Sequence, residues 1–202
     1  IGAANMSADD LADKIDLFGW SGSIGSAKFG VSTSDDNNDY SGTFVDWGSN
    51  KIGDDATNNW RTLTYDEWDY LLESRTNASS LRGIAQVNGA NGLILLPDNW
   101  TCPAGVTFKS GFSSESDVEA YGTHQTFTID QWQKMETAGA VFLPTAVRIY
   151  SAVYNDNGGY WSATESDSDF AYYLTFSPNS VMMGMYDYTR FCGLSVRLVK
   201  DL

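Results

Sequence analysis

Two stretches of the chain carry the same helical signature. Thr64 is followed three residues later by Glu67, and Thr128 by Gln131. In each case the threonine oxygen can accept from an orphan N–H of the first turn while the acid or amide reaches back to the cap, a capping box. Trp68 and Leu71/Leu72 then recur on one face of the first helix, Trp132 and Met135 on one face of the second. Gly139 suits the C-terminal end of the second helix. A short apolar run closed by proline follows each, "GLILLP" (Gly92–Pro97) and "GAVFLP" (Gly139–Pro144). Uninterrupted apolar runs predict strands buried on both faces, each stopped by a residue that cannot donate to a ladder. The recurring order hints at an internal pseudo-repeat with unequal spacers.

From Gly158 onward the pattern changes to alternation. Tyr172, Leu174 and Phe176 share one face of a predicted strand, and Tyr173, Thr175 and Ser177 share the other. Further on, Val196 and Leu198 point one way, Ser195 and Arg197 the other. A buried face is expected under both segments. The opposite face is expected to reach water, and it is crowded with Tyr, Asp, Ser and Met. Tyrosine gives large contact area at low entropic cost, and Ser and Asp give adaptable hydrogen bonding, so this face reads as a recognition surface. The first sixty residues are loop-rich and acidic. Their "STSDDNNDYSG" resembles a calcium loop, but Tyr40 stands where that loop needs glycine, and a solvated turn is the better reading.

A chain of 202 residues suits one domain, here taken as 1–202, with a core that needs no metal or disulfide staple. Its 19 glycines and abundant aromatics point to many short strands joined by turns. A net charge of −14, without a Lys/Arg cluster to offset it, argues against nucleic-acid partners and anionic membrane surfaces. No apolar run approaches the ~20 residues that cross a bilayer. Ile1 is not an initiator Met, so the chain is read as trimmed. His124 is the sole histidine, which excludes a His-rich metal site and leaves any Ser/His or Cys/His machinery only this residue. No P-loop or dinucleotide fingerprint occurs. Cys102 and Cys192 form an even count that invites a disulfide in a secreted protein, but spacing does not show that they meet. The sequons at Asn5, Asn77 and Asn99 matter only where the source glycosylates them.

The stretches "IDLFGWSGS", "WRTLTYDEWDYLL", "GLILLPDNW", "AGAVFLPTA", "GGYWSATESDSDFAYYLTF" and "RFCGLSVRLV" resemble a large family of bacterial surface proteins, especially of gut bacteria, whose shared domain is C-type-lectin-like. The resemblance runs from about Ile15 to Val199 and is most specific in the series from "YWSAT" to "SVR". It implies an α+β, C-type-lectin-like fold: two helices packed on short, twisted, mostly antiparallel strands, with the chain ending as a strand near the centre of the sheet. Trp20, Trp47, Trp60 and Trp161 are expected to fill the core around it. It also implies an extracellular or cell-surface location, with an N-terminal strand and a lipid anchor removed.

Some members resemble variable proteins of diversity-generating retroelements, in which adenine mutagenesis of Asn codons diversifies an exposed patch. Residue by residue, that pattern implies variable positions at Asp167, Asp169, Phe170, Tyr173 and Thr175. On the next strand it implies Tyr186, Asp187, Tyr188, Phe191 and Cys192, all reachable from an Asn codon by replacing adenines. Met183 and Met185 lie in the same patch without fitting that code. An outward Cys192 would have no reason to face Cys102. The calcium-binding strings of sugar-binding C-type lectins do not occur, and Cys102 and Cys192 are not an evident match to the two-cysteine site of the formylglycine-generating enzymes. The expectation is therefore a monomeric, non-catalytic binder of a protein or glycan ligand, without cofactor or metal. Two alternatives stay open: a structural or adhesin module (pilus-tip or stalk type) using the same patch for subunit contacts, and a glycan-active enzyme.

Overall fold

A computed structural model describes residues 18–22, 43–110, 125–145, 147–149, 152–154, 157–177, 184–190 and 192–201. The calcium-like loop, His124, Asn5, Met183 and Phe191 lie outside them. The described chain is mixed α+β, with two α-helices, α1 (Tyr65–Asp69) and α2 (Ile129–Thr137), and strands that pair mostly antiparallel. Both capping boxes form: Thr64 accepts from Glu67 N and Thr128 from Gln131 N, and the Glu67 and Gln131 side chains return to the cap N–H groups.

The first helix departs from expectation after one and a half turns. It widens into a π turn over Tyr70–Ser74. Arg75 explains this, because its backbone N–H bonds Tyr70 O while its own Nε takes Leu71 O. The guanidinium occupies the carbonyl that a regular helix would have used for the backbone.

The two apolar runs sit side by side. Strand β3 (Ala90–Leu95) pairs antiparallel with β5 (Val141–Pro144), Leu93 opposite Leu143 and Ile94 opposite Phe142. β3 is the buried member; β5, at the edge, keeps Val141 and Phe142 only half-buried, and an edge tolerates Pro144. β2 (Arg82–Val87) joins β3 through Asn88–Gly89, whose φ values of 48° and 84° are the left-handed pair required by a tight hairpin turn. Parallel pairing of β4 (Thr126–Phe127) with β2 completes a four-stranded sheet, and α2 packs Trp132 and Met135 against Ala85, Val87 and Ile94.

A second, three-stranded sheet has the order β10 (Gly184–Thr189), β9 (Phe170–Phe176), β8 (Gly158–Glu165). Gly158 lies under the Phe176 ring, and a Cβ there would come within 2.0 Å of it, so only glycine fits. Strands β6 (Val147–Ile149), β7 (Ala152–Tyr154) and β11 (Gly193–Leu194) form another small sheet.

The chain does not end at the centre of a sheet. The segment that reaches β8 is Gly193–Ser195, where Trp161 N donates to Ser195 O and Ser195 N to Gly159 O. Beyond it, β12 (Leu198–Val199) leaves to pair with β1 (Arg61–Thr62) in a two-stranded ladder. Trp20 and Trp161 are buried as expected, but Trp47 and Trp60 are only half-buried: Trp47 donates to Gly19 O at 3.2 Å and Trp60 to Asp55 at 2.9 Å. The Trp60 N–H finds its partner near solvent, and the Trp47 N–H finds it on the backbone of buried Gly19.

The β1–β12 ladder is tied to α1 by Arg61, which forks onto both Glu67 oxygens at 2.7 Å and reaches Asp201 at 3.0 Å. Arg61 holds the Glu67 carboxyl below its ordinary range, burial opposes, and the Thr64 N–H assists. A depressed carboxyl contributes stability above its unfolded pKa and loses it as pH falls through the folded value. Glu67→Gln keeps the cap but not the charge. It is expected to cost about 0.5–1 kcal/mol near neutrality, because the pair is over a third exposed. In urea melts the gap from the parent should close as pH is lowered through the carboxylate range.

Candidate functional site

The candidate patch is built on the β8–β9–β10 sheet, and register fixes which side chains share a face. Tyr186 lies opposite Tyr173, Tyr188 opposite Ala171, and Trp161 opposite Tyr173. On the other face Met185 lies opposite Leu174, Asp187 opposite Tyr172 and Tyr160 opposite Leu174. Neither face is open. The Leu174 face packs into a core with Trp68, Leu72 and Ile84, and Tyr172 meets Tyr65 edge-on at 4.8 Å. The face that carries Tyr173 and Trp161 is covered by Trp20, Cys192 and Leu194, with Phe44 alongside.

This corrects the expected parity. Thr175 is 8% exposed and Cys192 1%, so neither contributes to an outer surface. Cys192 is held inside because a small, weakly polar thiol fits among the indoles, its sulfur 3.1 Å from Thr189 Oγ1. Cys102 is exposed, and no disulfide joins it to the buried Cys192. Met185 turns inward against the Leu174 core. Tyr173 and Tyr188 are half-buried and pack edge to face at 5.9 Å, with Trp161 edge-on to Tyr173 at 6.1 Å. Burial pushes the Tyr173 phenol up, a bond with Thr175 opposing, so it stays a neutral hydrogen-bonding group at neutral pH.

What reaches solvent is the edge. β10 has β9 as its one sheet neighbour among the described residues, and it presents Tyr186 and Asp187 outward. Ser166 Oγ donates to Asp187 at 2.9 Å, which ties the edge to the β8–β9 loop. That loop is shaped by Asp167, whose Oδ1 accepts from Asp169 N at 2.8 Å and Phe170 N at 2.9 Å, an Asx turn. Asp167 and Asp169 are exposed and Phe170 half-buried.

Sequence reasoning gave Arg190 no role, yet it organises the loop. Its side chain is 2% exposed, lies 4.3 Å over the Trp20 ring, and donates to Glu165, to Phe170 O and, closely, to Asp167 O. Nothing in its local sequence, "YTRFCG", marks that role.

Compared with family models, curated proteins and solved structures, the chain has no match. Among the described residues no three His, Cys, Asp or Glu side chains converge as a metal site. No described helix is long and apolar enough to cross a membrane. The assembled chemistry is one exposed aromatic, a polar loop held from beneath by Arg190, and exposed carboxylates at Asp167, Asp169 and Asp187.

Proposed function

We propose that the chain is a C-type-lectin-like, non-catalytic ligand-binding domain of a bacterial surface protein, and that its recognition surface is the β10 edge with the Glu165–Phe170 loop. The supporting observation is Tyr186. At 44% exposure it is the large apolar side chain of this region left most open to water, opposite Tyr173 in the ladder, which itself packs on Tyr188, and followed along the edge by Asp187 on the other face. An exposed aromatic on an edge that also carries a carboxylate favours a partner with basic or hydroxyl-rich groups flanking an apolar one. Retroelement diversification, where it operates, acts on this rim, because changes at Thr175 or Cys192 alter the core instead.

A random peptide library selected on the wild-type chain is expected to enrich sequences that combine Lys or Arg with an aromatic residue. Tyr186→Ala should weaken the selected peptides by about 2 kcal/mol while leaving the unfolding midpoint nearly unchanged. Asp187→Asn should lower affinity mainly at low salt. Retained affinity in the Tyr186→Ala/Asp187→Asn chain contradicts the proposal. So does light scattering that shows an obligate oligomer with Tyr186 in its contact, which would favour a structural module.

A further inference from the structure

We propose that the cleft between α1, β1, β12 and the β3–β5 pair is a second ligand site, which takes a small amphiphilic carboxylate with an aliphatic tail of medium length. The cleft measures about 350 Å³, within the range of small-molecule sites. Its walls are Leu63, Leu71, Val141 and Leu198 with Trp60 and Trp68. Both indole N–H groups are already engaged, Trp60 with Asp55 at 2.9 Å and Trp68 with Trp161 O at 3.3 Å, so the rings offer the cleft only apolar surface.

The charged side chains lining it are Arg75, Arg197 and Lys200, all cations on a chain of net charge −14. Two of them are engaged. Arg75 bonds the carbonyls of Leu71, Leu96 and Leu81 and the Asp98 carboxylate, and Lys200 pairs with Asp55 at 2.9 Å. Arg197 is exposed at the rim and makes no ion pair among the described residues. An apolar pit with one uncommitted guanidinium at its mouth is complementary to one anion on an apolar body. A carboxylate matches the planar fork of donors, and a cationic ligand would be repelled. Flexible Leu and Val walls conform to an aliphatic tail. None of these residues belongs to the β10 edge, so the two sites stand or fall separately.

Calorimetric titration of the 202-residue chain with hexanoate, octanoate, decanoate and neutral decanol tests this. One saturable site is expected, with affinity rising up to about fourfold per added methylene until the tail is fully buried. Decanol should bind about tenfold more weakly than decanoate. Arg197→Gln should weaken decanoate by about tenfold and leave decanol unchanged, while Val141→Trp should abolish both. The proposal is overturned if no carboxylate saturates the chain, or if Arg197→Gln leaves decanoate affinity intact. Binding that appears only after deletion of residues 1–17 also overturns it, because the cleft would then belong to the chain's own N-terminal segment.

Discussion

Trp161→Ala should destabilise the domain by about 3–5 kcal/mol, as full truncation of a buried indole does. The residue has no exposed surface and connects two cores at once. Its indole fills the cluster of Trp20, Ala171, Cys192 and Leu194 and donates to Phe18 O at 2.8 Å, while its backbone carbonyl accepts from Trp68 in the other core. Truncation opens a cavity, leaves the Phe18 carbonyl without that donor, and removes the ring against which Tyr173 packs. A typical domain has about 5–15 kcal/mol in total, so the variant is expected to unfold at much lower urea. Near-UV circular dichroism should also lose signal from the tyrosines of β9 and β10. A loss below about 1 kcal/mol would mean that the core around Trp20 is not packed as described.

Arg190→Met should cost about 3 kcal/mol and should act on the loop first. The guanidinium serves the Asp167 and Phe170 carbonyls, and methionine can replace its volume over Trp20 but none of its donors. Glu165 remains solvated after the change because its side chain is 66% exposed, so the loss lies in the carbonyls and the cation–π contact and not in a stranded carboxylate. Arg190→Lys should recover little, because a single ammonium cannot span the same acceptors in a fixed fork. Amide exchange at Asp169 and Phe170 should quicken more than at Ile84 or Leu93 in the distant sheet. Uniform acceleration across both sheets would argue that Arg190 is only a packing residue.

Local signals in the sequence translated directly into structure. Each capping box needs four adjacent residues, and a helix end has few other ways to satisfy its first N–H groups, so Thr64 and Thr128 were legible. The runs ending at Pro97 and Pro144 were legible as strands because continuous apolar sequence has to be buried. Alternation in "AYYLTF" correctly separated two faces but could not tell that both are covered. That depends on Trp20, more than a hundred residues away, joining Trp161, Cys192 and Leu194 in the cluster against which Tyr173 packs. Thr175 and Cys192 were misassigned for this reason, and Tyr186 and Asp187 are exposed because β10 is an edge strand, not because of their parity. Arg190 was hidden because it sits in the turn after β10 and the carbonyls that it serves, Asp167 and Phe170, belong to a loop about twenty residues earlier.

Hydroxyl-radical footprinting, with and without the tightest library-selected peptide, tests the β10 edge most directly. In the free chain Tyr186 should oxidise fastest among the described tyrosines of this sheet, with Tyr160 and Trp161 inert. Bound peptide should protect Tyr186 and the Glu165–Phe170 loop and leave the cleft residue Trp60 unchanged. Protection confined to other surfaces, with Tyr186 as reactive as before, would contradict the assignment.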